Sequence, residues 1–356
     1  MLIKNARIVT RDEVFTGTLR VENGAIRELS RGTTAAPEAV DWEGDFLLPG
    51  LVELHTDNLE KHLAPRPGVH WNTDAAFVIH DAQIAAAGIT TVFDALAIGT
   101  RAAVGVRGRE VQLASAAALT RFSERKLLRA EHFLHLRCEV ATEDVIELFD
   151  TLGEHPLLRL ASVMDHTPGQ RQWHDRTQWR RFQERHGKWT DEQAATMLTE
   201  MTTEQERYAD AHRHAIVEQA AREGIVLAEF PTTRAAAAEA KKRGIATIMG
   251  APNVVRGGSH SGNVSALELA QAGLLDILSS DYAPSSLLTA AFDLVTRADW
   301  TLPRALATVS WEPAHKAGLA DRGAIAPGLR ADFVRVAMLD TLPVPRATYR
   351  AGTRVV

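Results

Sequence analysis

The chain holds one cysteine, Cys138, so no internal disulfide can form and its stability has to come from packing. Long apolar runs are also missing. No window approaches the roughly eighteen uninterrupted apolar residues that cross a bilayer, which excludes a helical membrane protein. The opening MLIKNARIVTRDEV has no apolar stretch of secretory type, so a cytoplasmic protein without a membrane partner is expected. An excess of positive charge is absent too. Forty Lys and Arg stand against 45 Asp and Glu, a net charge of −5, which offers no global field to hold a phosphate polymer. Nucleic acid is therefore not an expected partner. With no internal repeats, 45% hydrophobic and 24% charged residues, the composition excludes a disordered, collagen-like or coiled-coil chain. What remains is a globular chain of 356 residues, long enough for an α/β barrel with a small appendage.

The first 48 residues alternate short strand-like runs with turn signals such as Glu22-Asn23-Gly24, and residues 323–356 behave likewise around Ala351-Gly352. The two ends are expected to pair into one small β-sandwich module. Between them, short apolar runs ending in polar residues alternate with helical stretches, the pattern of parallel strands joined by helical crossovers. The barrel strands are read at 51–57, 90–94, 133–139, 158–165, 225–230, 246–249 and 275–281. Helices are read at 74–87, behind Thr73 as a cap, at 109–128 and at 285–297. A closed barrel wants an eighth strand. The expected architecture is thus a distorted TIM-like (β/α) barrel over residues 49–322, short of one βα unit, carrying a long helical insertion at 169–224.

The strongest local signal is Leu54-His55-Thr56-Asp57, where a strand ends in two ligand-type side chains on one face. Alone, a His-x-Asp pair more often caps a strand and the next helix. Other strand candidates end the same way, in Cys138-Glu139, Asp165-His166 and Ser280-Asp281, and one barrel rim would collect them all. The expected metal ligands are His55, Asp57, Glu139, His166 and Asp281, with Glu139 bridging if two ions bind and Asp281 as general base. His166 serves as ligand, orienting group or base. His212 and His214 are set aside, because positions i and i+2 of a helix point about 200 degrees apart. Cys138, next to Glu139, points to the opposite strand face and reads as core, and His80-Asp81 reads as a brace for its helix. Trp173, Trp179 and Trp189 read as packing residues of the insertion.

Several long blocks carry a resemblance over nearly the whole chain: LLPGLVELHTDNLEKHLAPRPGVHW (47–71), HDAQIAAAGITTVFDA (80–95), HLRCE (135–139), MDHTPGQRQ (164–172), EFPTT (229–233), MGAPNVVRGGSHSGN (249–263) and SSDYAPSSLL (279–288). In these the sequence resembles the amidohydrolase superfamily and, more narrowly, the alpha-D-ribose 1-methylphosphonate 5-triphosphate diphosphatases of the carbon–phosphorus lyase pathway, the family called PhnM. The resemblance implies a centre of one or two divalent ions, zinc above all, at the barrel mouth. It also implies that activated water attacks the α-phosphorus of a ribose triphosphate phosphonate, expelling pyrophosphate and leaving the 5-phosphate. One departure stands out. The family carries a Ser-His-Asp-Asp block and a helix before EFPTT, whereas here residues 224–228 run straight into Glu229. That accounts for a count of seven strands, and it removes the fifth-strand histidine expected as a ligand.

A polyphosphate substrate needs cations. The Arg256-Gly257-Gly258-Ser259-His260-Ser261-Gly262-Asn263 loop suits an anion nest, and Arg66 and Arg171 are placed to clamp phosphoryl oxygens. Arg66, Arg171, Arg256, Ser259, His260 and Asn263 are therefore the expected phosphate contacts, on a small-molecule substrate held by a homo-oligomer. Two other readings stay open: a C–N hydrolase of the same superfamily, and a catalytically impaired family member.

Overall fold

A computed structural model describes residues 1–99, 105–170, 177, 179–180, 190–222, 227–259 and 262–356. The chain enters through β1 (Leu2–Val9), β2 (Val14–Glu22), β3 (Ala25–Arg31), β4 (Val40–Asp41) and β5 (Phe46–Pro49). It then supplies β6 (Leu51–Thr56), β7 (Ile89–Ile98), β8 (Glu131–Glu139), β9 (Leu158–Met164), β10 (Leu227–Glu229), β11 (Ala246–Gly250) and β12 (Ile277–Ser279). It leaves through β13 (Phe333–Leu339), β14 (Leu342–Arg350) and β15 (Thr353–Arg354).

Both chain ends share one eight-stranded sheet, ordered β15-β14-β13-β5-β1-β2-β3, with β4 alongside β1. Its hairpin turns follow from local chemistry. Asn23 and Gly24 both take positive φ, 51° and 76°, as a tight turn between twisted strands requires. The sheet buries Trp42 against Phe333 and Tyr349, whose own rings stack at 4.6 Å.

The middle of the chain builds the barrel. Strands β6 to β9 run parallel in sequence order, and β10 to β12 form a second parallel set. The two arcs join where Thr56 bridges Asp281, with Asp57 N–H donating to the Asp281 carbonyl at 2.9 Å and Asp281 N–H to that of His55 at 3.1 Å. Among the described residues no ladder links β9 to β10, so seven barrel strands are present. All ten residues of β7 are buried, as expected of a parallel strand covered on both faces. Val52, Leu54, Phe93, Phe133, Leu160, Ile248 and Ile277 gather into one apolar cluster drawn from six of these strands, the filling of a packed barrel.

The helices differ from expectation mainly at their ends. The helix read at 74–87 is Thr73–Ala86, and its cap is Asn72, whose side chain accepts from Ala75 N–H at 3.0 Å. The helix read at 109–128 stops at Glu124, because Lys126 turns left-handed with φ 54°. In the insertion, helix Asp191–Arg222 is described, and Trp179 is buried. Trp173 and Trp189 lie outside the described residues. No helix among the described residues is long and apolar enough to cross a membrane.

An ionic clasp ties the barrel to the terminal sheet. Glu131, opening β8, accepts from both Arg322 and Arg330, and Arg322 also reaches Thr91 Oγ1 at 2.9 Å. Arg322 is 6% exposed, whereas the Glu131 side chain is 34% exposed and keeps Arg330, so removing the Arg322 guanidinium costs its buried hydrogen bonds and does not strand the carboxylate. Arg322→Met is expected to lower unfolding stability by about 1–2 kcal/mol, measured by urea titration. A loss under about 0.5 kcal/mol would show the clasp to be ornamental.

Candidate metal centre

Strand β6 delivers His55 and then Asp57 to the mouth. The His55 ring is buried, 1% exposed. Its Nδ1 lies 2.5 Å from Glu229 Oε1 and its Nε2 lies 3.8 Å from Asp57 Oδ1. Among the described residues Nε2 is buried with no hydrogen-bond partner. A buried ring nitrogen without a partner costs on the order of 1–3 kcal/mol unless a ligand meets it. With the Glu229 carboxylate accepting from Nδ1–H, the neutral ring carries its lone pair on Nε2, facing Asp57. Ligand atoms of His55, Asp57 and Asp281 all lie within 4.8 Å of one another, a spacing one ion can bridge.

A second group of that reach is His55, His135 and Glu229. His135, on β8, points Nδ1 at the Leu54 carbonyl, 2.9 Å away, so the proton is there and Nε2 is left as acceptor. That nitrogen meets Ser162 Oγ at 2.9 Å and Glu229 Oε2 at 3.9 Å. Burial pushes the His135 imidazole down to about 4, keeping it neutral and able to ligate. His55 is pushed down by burial as well, but the Glu229 carboxylate prevails and holds it above its ordinary value. Glu229 itself is raised by burial and, more strongly, lowered by His55 and His135 to well below the usual carboxylate range. Since His55 Nδ1 is already satisfied by Glu229 while Nε2 is not, the first trio fits an ion better. Glu229 then fits the place of the carboxylate that orients a metal-bound histidine. Glu229→Gln is expected to weaken metal retention by roughly 10- to 100-fold, checked by dialysis and elemental analysis; unchanged retention would remove Glu229 from the site.

The backbone here is strained. Phe230 and Asp281 take left-handed φ of 48° and 53° at strand ends, and Phe230 sets its ring edge-on to His55 at 5.0 Å. Behind them Glu53, fully buried, accepts from His55 N–H at 2.6 Å and from Ser280 N–H, pinning β6 to the segment that carries Asp281. Burial pushes the Glu53 carboxyl up to about 7.

Cations crowd the same carboxylates. Arg137 of β8, 7% exposed, ion-pairs with Asp57 and rests Nε on the Met164 sulfur at 3.2 Å. Arg107 holds Glu60 by two bonds, 2.8 and 3.1 Å, and lies 3.8 Å from Asp57 Oδ2. Burial raises the Asp57 carboxyl and Arg137 then lowers it, to a net value of about 2. Lys61 donates to the Tyr282 carbonyl, one residue past Asp281.

Of the expected ligands, His55, Asp57 and Asp281 come together. Glu139 and His166 pair with each other: the Glu139 carboxylate accepts from His166 N–H at 3.0 Å and contacts its Nδ1, and among the described residues neither belongs to a trio. Arg66 is exposed on a turn bridged to Val69, and Arg256 is exposed at the end of helix Ala251–Arg256. Ser259 and Asn263 are half-buried and engaged; Arg171 and His260 lie outside the described residues. Sequence reading passed over Glu229 and His135. Glu229 ends a strand, the signal used for the others, whereas His135 sits mid-strand and carries no such mark.

A third trio, His80, Asp94 and His132, is wholly buried and fits a different role. His132 sets Nδ1 2.8 Å from Asp94 and Nε2 3.2 Å from Asp81. With carboxylates on both nitrogens it is a full imidazolium; burial lowers it, Asp94 and Asp81 overrule, and the net value is about 9. His80 joins Asp94 at 2.7 Å and accepts from Asn58, next to Asp57, at 3.0 Å. These atoms are mutually satisfied, which fits the bracing role read for His80-Asp81. His212 and His214 also have separate partners, the Val140 carbonyl and Glu218.

Comparison with known proteins adds a second line. No protein-family model matches the chain. It is 43% identical over 378 residues, covering 100% of both chains, to the alpha-D-ribose 1-methylphosphonate 5-triphosphate diphosphatase of Escherichia coli (strain K12). A short stretch, 93 residues and 26% of the chain, is 30% identical to a dihydroorotase of Thermococcus kodakarensis, 21% of which it covers. Among solved structures, 5-methylcytosine deaminase from Klebsiella pneumoniae superposes with a TM-score of 0.64 at 16% identity over 100% of this chain and 97% of that one. L-hydantoinase from Arthrobacter aurescens does so at 0.59 and 16%, over 99% and 95%. At such identities the likeness shows the fold alone, a TIM-type barrel.

Proposed function

Because the chain belongs to the alpha-D-ribose 1-methylphosphonate 5-triphosphate diphosphatase family, we propose that it hydrolyses that triphosphate to the 5-phosphate and pyrophosphate in phosphonate catabolism. The observation that carries a metal-dependent mechanism is the partnerless Nε2 of His55 aimed toward Asp57 and within ligand reach of Asp281. A divalent ion, proposed to be zinc, supplies a water acidified toward neutral pKa when bound. His55, Asp57 and Asp281 would hold it, with Glu139 proposed as the bridging carboxylate if two ions bind and His166 as ligand, orienting group or base. Glu229 holds the His55 ring in place by accepting a hydrogen bond from Nδ1–H. Asp281 is proposed to accept the proton of the attacking water, and Phe230 walls the His55 ring on one side. Arg66, Arg171, Arg256, Ser259, His260 and Asn263 are proposed to hold the rest of the anion.

We propose that the enzyme works as a cytoplasmic homo-oligomer on this small molecule alone, with the barrel at 49–322 and its β module at 1–48 and 323–356. A C–N hydrolase for neutral rings has less support, since two arginines at Asp57 would serve no neutral substrate. Pyrophosphate release from the ribose triphosphate, assayed with and without chelator, tests the reading. Release lost on chelation and restored by zinc is expected. Undiminished release from metal-free protein would exclude the mechanism, and no release under any condition would exclude the activity.

A further inference from the structure

Asp57 is an odd metal ligand. One of its carboxylate oxygens is ion-paired to Arg137 and the other lies 3.8 Å from Arg107. A divalent ion brought to this carboxylate meets two guanidinium groups already there, and like charges at such distances repel by kilocalories unless water screens them. Arg137, at 7% exposure, is poorly screened. Arg107 already has a bidentate partner in Glu60, so Asp57 holds Arg137 as its own cation and a second guanidinium within Coulomb range. Arg137 is also under-satisfied: its Nε–H points at a thioether sulfur, a weak acceptor. Arg107 is the more open of the two, with its side chain 39% exposed. Two guanidinium forks beside a metal-binding carboxylate suit a ligand with several anionic oxygens, which binds metal and arginines together and offsets their repulsion.

We propose that Arg107 and Arg137, flanking Asp57, form the subsite for the departing diphosphate group and oppose metal binding until that anion arrives. This rests on the diphosphatase reading above. Coupling between two ligands is reciprocal, so pyrophosphate tightens metal by the same factor as metal tightens pyrophosphate.

The test titrates zinc and inorganic pyrophosphate against wild type, Arg107→Gln and Arg107→Lys. Free zinc is fixed by a metal buffer and read with a fluorescent chelator, so that complexation in solution is accounted for. In wild type, pyrophosphate is expected to tighten zinc at least about fivefold. Arg107→Gln should bind zinc alone several-fold tighter, and pyrophosphate roughly tenfold weaker, because a repulsion and a charged hydrogen bond are lost together. Arg107→Lys should bind zinc alone like wild type, with pyrophosphate affinity between the other two. Loss of charge alone also moves the two ligands in opposite senses, so Arg107→Lys decides: with the charge kept, zinc affinity like wild type and pyrophosphate affinity short of wild type mark a direct guanidinium contact. Pyrophosphate affinity unchanged within a factor of two, or zinc and pyrophosphate weakened together, would overturn the proposal. Wild-type coupling without turnover of the ribose triphosphate would sink the diphosphatase reading and leave the subsite standing; turnover without coupling would do the reverse.

Discussion

Asp281→Asn is expected to cut pyrophosphate release by about three orders of magnitude while leaving the protein folded, a loss of about 4 kcal/mol in transition-state stabilisation. The fold should tolerate the change because the Asp281 backbone, rather than its carboxylate, closes the barrel. Its carbonyl accepts from Asp57 N–H and from Thr56 Oγ1 at 3.0 Å, and its N–H donates to the His55 carbonyl. Asparagine also adopts the left-handed φ of 53° that this position demands. Metal content separates two roles. A variant that is inactive yet holds its ion has lost a proton acceptor, and one that is inactive and empty has lost a ligand. Retention of more than about a tenth of wild-type kcat would remove Asp281 from both.

The second large effect concerns stability. His132→Leu should destabilise the protein by about 3–5 kcal/mol, because Asp81 and Asp94 would be left as buried carboxylates without their shared cation. Arg129 eases Asp81 at 3.0 Å, but Asp94 keeps only His80. The same residue sets an alkaline limit. Its folded value of about 9 lies above the ordinary 6.5. Its contribution is therefore complete below about pH 6.5 and disappears as pH rises through about 9, amounting to a few kcal/mol. Urea unfolding of wild type at pH 6.5, 8 and 9.5 should show that decline, and His132→Leu should lack it. Parallel pH profiles for the two proteins would refute the imidazolium.

Much of this molecule is written locally. Asn23-Gly24 can only turn, β7 is apolar enough to be buried on both faces, and strands that stop at His55, Asp57 and Asp281 announce a polar rim. Those features depend on residues adjacent in the chain, where alternation and turn chemistry operate. Strand ends also mark Glu139 and His166, and Glu229 stands at another. Composition said nothing of which carboxylate would meet which cation.

Residue order alone thus settled the barrel class, the pairing of the chain ends and the family, because strand period, turn residues and long motifs are properties of contiguous segments. Folding chose the partners. Glu229 meets His55 across 174 positions and Arg137 meets Asp57 across 80, contacts created by the closing of parallel strands around a common axis. A buried nitrogen acquires its lone pair, and a carboxylate its neighbours, only when such distant segments share a few ångströms of poorly hydrated space.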